Sequence, residues 1–141
     1  MTEGRTQELY ALGNGRSVAA VRAFLDHFLP DRKPCCEDYP VPECSDSPKI
    51  VLSSESEILE YLENHQSEKY GLYWDDTGSS SQAMVFYTSD GHVVFGLAEV
   101  VPVPAGRLAE LARFVGARYA MFGWEQRPPD TAAEFIALCR R

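Results

Sequence analysis

Apolar residues recur at helical spacing in four segments of the chain, and each segment predicts an amphipathic helix. Ser17 can cap the first helix, which runs to about Leu29 before Pro30 ends it. The second helix begins with the capping-box sequence Ser54-Glu55-Ser56-Glu57 and continues to about Asn64. The inward positions of the last two helices are Leu108, Leu111, Ala112 and Val115, and Ala132, Phe135, Ile136 and Cys139.

Six further apolar segments are too short for helices and predict β-strands, at residues 7–12, 49–52, 70–74, 82–88, 92–99 and 118–124. Ser89-Asp90-Gly91 separates two of these strands, and Asp-Gly between apolar runs is a strong hairpin signal. Both hairpin strands carry apolar residues on both faces. The sheet must therefore be covered on both faces, by the chain's own helices or by another molecule.

The order of these elements, β-α-loop-β-α-β-β-β-α-β-α, predicts an α+β fold. We expect four helices and a mixed or mostly antiparallel sheet of five to six strands. At 141 residues the chain is expected to form one domain, residues 1–141, with its own core. Residues 30–48 carry five of the nine prolines and five acidic residues. They predict a long, semi-rigid acidic loop with an edge strand at most.

Charge narrows the classes of partner. Thirteen basic and 21 acidic side chains give a net charge of −8, which opposes binding to nucleic acids or anionic lipids and favours a basic partner. The sequence contains no apolar run that could span a bilayer and does not begin with a secretory signal pattern, so we expect a cytoplasmic protein that is not membrane-bound. In a reducing cytosol the four cysteines are expected to remain free thiols.

Residues 76–80, Asp-Thr-Gly-Ser-Ser, resemble the active-site loop of aspartic proteases. Such enzymes need two carboxylates that share one proton, from two copies of the loop or from a dimer. The chain holds one copy, with polar residues on both sides. We therefore interpret residues 74–81 as a solvated turn between two strands. Gly13-Asn14-Gly15 is interpreted as a tight turn as well, because it lacks the lysine of a phosphate-binding loop.

The sequence contains no residue pattern typical of a metal centre or a cofactor site. Cys35, Cys36 and Cys44 include no Cys-x-x-Cys pair, and adjacent cysteines are awkward tetrahedral ligands for zinc. The three histidines form no catalytic grouping by their spacing. We expect no metal, no cofactor and no catalytic residue. A small cytosolic enzyme that uses carboxylates or Cys44 stays open as an alternative.

Two polar segments, residues 30–48 and 74–81, combine aromatic with acidic side chains. This combination suits a protein interface, where rings fill pockets and carboxylates steer a basic partner. The predicted partner-binding residues are Glu37, Asp38, Tyr39, Glu43, Asp46, Trp74, Asp75 and Asp76. The alternative is that both segments are ordinary polar loops.

Two segments, EILEYLENHQSEKYGLYWDDTG and AMVFYTSDGHVVFGL, resemble small acidic immunity proteins of bacterial polymorphic and contact-dependent toxin systems. In those proteins a helix, an aromatic strand and an Asp-Gly hairpin of aromatic strands recur. The resemblance covers about residues 57–97. It implies a non-enzymatic inhibitor that binds and neutralises one cognate toxin, often a basic nuclease, and it carries over no catalytic or binding residues.

The hypothesis from the sequence is therefore a cytoplasmic immunity-type protein, a monomer or a homodimer, that binds a basic toxin domain through electrostatically steered association. Two other classes stay open. One is the small enzyme, and the other is a ligand-binding or dimeric scaffold module in which the doubly apolar sheet forms a pocket or a dimer face.

Replacing Asp76 by Asn removes one negative charge from a polar turn and is expected to leave the fold intact. Any loss should appear in partner affinity, mainly as slower association. Thermal unfolding checks the fold, and a kinetic binding assay with the partner checks the rate. A lower melting temperature with an unchanged association rate would show a structural role for Asp76 instead.

Overall fold

The computed structural model describes residues 5–123 and 126–141, and this part of the chain folds into four helices and eight strands. The helices are α1 (Val18–Phe28), α2 (Glu55–Asn64), α3 (Arg107–Val115) and α4 (Ala132–Cys139). The strands are β1 (Thr6–Leu12), β2 (Arg32–Pro34), β3 (Tyr39–Val41), β4 (Ile50–Leu52), β5 (Tyr70–Asp76), β6 (Gln82–Tyr87), β7 (Val93–Val100) and β8 (Ala120–Gly123).

Six of the strands form one antiparallel sheet in the order β2-β5-β6-β7-β1-β8, and β3 pairs with β4 in a separate two-stranded sheet. The predicted α+β fold is confirmed. The predicted Asp-Gly hairpin joins β6 to β7, and Gly91 has a φ of 87°, a conformation that glycine adopts without strain. Trp124, the predicted last residue of the β8 segment, lies outside the described residues.

Residues 30–48 were expected to form a long loop with an edge strand at most, and they hold two short strands. β2 is an edge strand of the main sheet, whereas β3 pairs with β4, the predicted strand at residues 49–52, outside that sheet. Each of the new strands contains a proline, Pro34 or Pro40, and each pairs on one side only. A strand with one partner tolerates the missing proline N–H, which is why these short pairings can form.

Capping side chains begin three of the helices, and those of α1 and α2 were predicted. Ser17 accepts a hydrogen bond from the Ala20 N–H at the start of α1, and Thr131 caps α4. At the start of α2 the Ser54 hydroxyl accepts from the Glu57 N–H, but the Glu57 carboxylate accepts from the N–H of Ser53 rather than that of Ser54. These local bonds satisfy amide groups that a helix leaves without internal partners.

The sheet is apolar on both faces, and the chain covers both faces itself. On the first face, buried residues of α1, α2 and α3, such as Phe24, Leu59 and Leu111, form one core with the sheet. On the second face, Phe135 of α4 belongs to a smaller core that includes Tyr10 and Phe86. The covering elements are therefore intramolecular, so the sheet does not need another molecule to bury these faces. None of the helices in the described residues has the length and apolar character that a membrane crossing requires.

A buried arginine connects the first turn of the chain to the helix layer. Arg16 follows the predicted tight turn at residues 13–15 and is 3% exposed. Its guanidinium donates to the carbonyls of Leu62 (3.2 Å), His65 (2.9 Å) and Glu68 (3.1 Å), and also to the carbonyl of Thr88. Two of these carbonyls belong to the C-terminal end of α2, where carbonyls lack partners within the helix and a positive charge is favourable.

Replacing Arg16 by Met should lower the free energy of unfolding by about 3 kcal/mol, because several carbonyls around a buried site lose their donor at once. Arg22 is the matched control. It is exposed on α1 and donates to the Ser56 hydroxyl, so Arg22→Met should cost less than about 0.5 kcal/mol. Urea unfolding monitored by tryptophan fluorescence measures both. Equal costs for the two variants would contradict the structural role of Arg16.

Candidate functional site

A cleft of about 480 Å³ lies along the edge of β5. β2 pairs with β5 only over Trp74–Asp76, and the last contact is the Cys35 N–H, which donates to the Tyr73 carbonyl over 3.0 Å. Beyond Cys35 the chain leaves this edge, and residues 36–44 supply the opposite wall of the cleft. Five of the predicted partner-binding residues line it: Glu37, Asp38, Tyr39, Glu43 and Trp74.

The aromatic side chains around the cleft are held in place by hydrogen bonds. The Tyr70 hydroxyl donates to the Pro40 carbonyl over 2.8 Å, and the Trp74 Nε1–H donates to the Glu55 carboxylate over 2.7 Å. The Tyr39 hydroxyl is also bonded, to a backbone carbonyl, and burial raises the pKa of Tyr39 to about 12. These hydroxyls remain protonated donors at neutral pH, so the cleft walls are rigid and their positions are fixed before any partner binds.

The positions of Tyr39 and Trp74 correct one expectation. They were predicted to lie on polar loops with their rings available to a partner, but they are only 5% and 1% exposed. Tyr70, Leu72 and Trp74 alternate along β5 toward the first face of the sheet, so the tryptophan continues a buried row. Their rings support the cleft from within and do not project into a partner.

The acidic residues divide between two neighbouring places. Glu37 and Asp38 are exposed on the rim of the cleft. Asp75 and Asp76 instead line an adjacent polar cavity of about 460 Å³, in which Asp75 accepts from Gln82 Nε2 (2.7 Å) and Asp76 accepts from the Ser79 hydroxyl (2.6 Å). Asp46 is exposed and lines neither. The structure thus brings most of the predicted residues to one side of the molecule, but not into one site.

Arg127 and Gly71 are among the residues of the site that were not predicted from the sequence. Arg127 pairs with Glu43 at 3.2 Å, and its guanidinium lies 5.0 Å from the centre of the Phe86 ring. The guanidinium also packs against Gly71 so closely that a Cβ atom at this position would collide with it. A glycine inside an apolar strand, between Tyr70 and Leu72, is the sequence signal that indicates such a close approach.

Negative charge is concentrated in the segment of the chain that supplies the cleft. Between residues 31 and 99 the chain has fourteen acidic and four basic side chains, whereas residues 100–141 have four acidic and six basic ones. The residues that line the cleft all belong to the acidic segment. Arg32 and Lys33 of β2 and Arg127 place three positive charges near the same edge of the sheet.

Thiol chemistry at this edge is suppressed at Cys35. Burial raises the pKa of the Cys35 thiol to about 11, and the neighbouring Asp75 carboxylate adds to the shift. At neutral pH this thiol is protonated and therefore a weak nucleophile. The four cysteines are free, and within the described ranges no cluster of three or more His, Cys, Asp or Glu side chains is arranged to hold a metal ion.

Comparisons with protein-family models, with curated proteins and with solved structures found no match to this chain. The candidate site therefore has to be interpreted from its own geometry and charge.

Cys35 should alkylate slowly at neutral pH, because only the thiolate reacts. In a variant that keeps Cys35 and replaces the other three cysteines by serine, the rate with iodoacetamide should rise with pH and reach half its maximum near pH 11, as the raised pKa requires. Adding Asp75→Asn should move this midpoint to lower pH, because a carboxylate that opposes the thiolate is removed. A midpoint at the ordinary value of 9.0 would contradict the assignment.

Proposed function

We propose that this protein is a non-enzymatic inhibitor of the immunity type, which uses the acidic edge of its sheet to bind a basic domain of a cognate toxin. The observation that carries the proposal is a cleft with an acidic rim, built by the segment of the chain in which the negative charge is concentrated. Fields of this kind attract oppositely charged proteins over long distances and orient them before contact.

The surface beside the cleft also has the character of an interface. Ile50 and Val51 of β4 are 42% and 51% exposed, and Val51 lies opposite Pro40, a residue of the cleft wall. Exposed aliphatic side chains next to a cleft with a charged rim match the usual anatomy of protein interfaces, which combine an apolar centre with a polar rim. Binding there would bury apolar surface and match opposite charges at the same time.

The tyrosine hydroxyls of the cleft are not suited to act as general bases. Burial raises the pKa of Tyr70 and of Tyr73, so both hydroxyls stay protonated near neutral pH and neither serves as a general base. Cys35, just outside the cleft, is likewise protonated. A toxin as the partner is what the resemblance of residues 57–97 implies, and the excess of acid on this side is the property that a basic nuclease domain would recognise.

The proposal predicts that a neighbouring gene encodes a basic toxin domain, and the binding of that domain is measured by biolayer interferometry at about 50 and about 300 mM salt. A variant that combines Glu37→Gln, Asp38→Asn and Asp46→Asn should associate about tenfold more slowly at low salt, and the difference should shrink at high salt. Addition of one equivalent of the unmodified protein should abolish the domain's toxic activity.

The control variant removes the same charge elsewhere, through Glu60→Gln, Glu110→Gln and Glu134→Gln on the outer surfaces of α2, α3 and α4. It should associate nearly as fast as the unmodified protein. Association that does not depend on salt, or an equal loss in both variants, would contradict binding through the acidic edge.

A further inference from the structure

The chain itself shows how a guanidinium is bound next to the cleft. The Arg127 Nη2 atom donates to both oxygens of Glu43, at 3.2 and 3.4 Å, while the guanidinium lies over the Phe86 ring. Gly71 makes room for this arrangement because it has no side chain. A carboxylate, an aromatic face and a glycine thus form a binding site for one arginine on the outer side of Glu43.

The cleft offers carboxylates and an aromatic ring on the other side of Glu43 as well. Glu43 borders both the cleft and the groove that contains Arg127. Glu37 and Asp38 add carboxylates at the rim, and Tyr73 adds a half-buried aromatic ring. The volume of about 480 Å³ lies within the range of pockets that bind small ligands, so it accommodates a long side chain.

The backbone of β5 contributes a further acceptor. The Tyr73 carbonyl points toward β2, since it accepts the Cys35 N–H. Strand alternation directs the carbonyl of Gly71 to the same side, beyond the described pairing of β2 with β5, which stops at Trp74. This carbonyl therefore faces the cleft and can accept a hydrogen bond from a ligand there.

The cleft suits a side chain better than a partner strand. Residues 36–44 are tied across the edge of β5 at two points, by the Tyr70 hydroxyl on Pro40 and by Arg127 on Glu43. A strand added along this edge would have to break both ties, whereas a single side chain can enter between them. Arginine fits better than lysine, because its planar guanidinium stacks on a ring and donates several hydrogen bonds at once.

We propose that the cleft binds the side chain of one arginine of the basic partner, which stacks on Tyr73 and donates to the rim carboxylates and to the Gly71 carbonyl. This inference rests on the proposed function and adds a specific anchor to it. The negative field of the acidic edge brings the partner in, and the arginine in the cleft sets the orientation of the complex.

The test uses the peptide acetyl-Gly-Arg-Gly-amide and the isotope-labelled full chain, followed by NMR. We expect a dissociation constant of about a millimolar, with the largest amide shifts at Gly71 and Tyr73. The same peptide with citrulline, which has nearly the same shape and no charge, should not bind. A lysine peptide should bind several-fold more weakly.

Two variants distinguish the contribution of the Tyr73 ring from that of the rim carboxylates Glu37 and Asp38. Tyr73→Ala should weaken arginine binding about fivefold, and Tyr119→Ala, which removes another half-buried tyrosine of the same face, should leave it unchanged. Because Tyr73 also packs on Phe86, the exposed pair Glu37→Gln and Asp38→Asn serves as a second variant that does not touch the core, and it should weaken binding as well.

The outcomes distinguish this inference from the proposed function. If arginine and citrulline peptides behave alike, or if the shifts lie away from β5, the cleft does not bind arginine. The basic domain could then still bind the acidic edge with the expected salt dependence. If the basic domain does not bind this protein at all, the proposed function itself is contradicted.

Discussion

The hydrogen bonds of the Arg16 guanidinium are the interaction on which the geometry of this protein depends. They join the turn between β1 and α1 to the end of α2 and to Thr88 at the end of β6. A charge at a site so little exposed needs acceptors close by, and here carbonyls at the C-terminal end of a helix supply two of them while the Nε–H has no partner among the described residues. Since α2 is held in this way at its C-terminal end, its first residue, Glu55, is placed to accept from Trp74 and to hold the cleft wall.

A second constraint fixes α4, the helix that covers the second face of the sheet. Asp90, in the turn between β6 and β7, accepts hydrogen bonds from the amides of Ala132 (2.8 Å) and Ala133 (3.3 Å) at the start of α4. Burial alone would raise the pKa of Asp90, but these amides and the Thr88 hydroxyl outweigh it and lower the pKa. The hairpin residue that the Asp-Gly signal identifies therefore also fixes α4, and with it the preceding segment that carries Arg127 to the cleft.

The parts of the fold that could be predicted are those set by local interactions. Ser17 and Ser54 cap helices within their own turns, and Asp-Gly closes a hairpin between neighbours in sequence. Lys33 and Asp75 are paired although they are far apart in the chain, and no local pattern predicts such a pairing, so the position of β2 beside β5 was not predicted. Arg16 was missed for a related reason: a charged residue after a polar turn is usually exposed, and its burial depends on carbonyls from two distant segments, residues 62–68 and Thr88.

The residues predicted to bind a partner are arranged differently from the two polar loops that the sequence suggested. Acidic and aromatic residues of 30–48 and 74–81 do meet at one edge, but as a cleft whose rings are fixed from within and whose ion pair comes from residue 127. This difference matters for how such a surface would bind. Mobile loops would lose conformational freedom on binding, whereas the fixed walls have lost it already during folding.

The clustering of carboxylates at this edge carries its own electrostatic cost in the free protein. Glu37, Asp38 and Glu43 lie around one cleft, and like charges near each other raise the free energy of the folded state. Arg127 offsets part of this repulsion at Glu43. A basic partner would neutralise the remaining carboxylates, which is the electrostatic basis of the proposed binding.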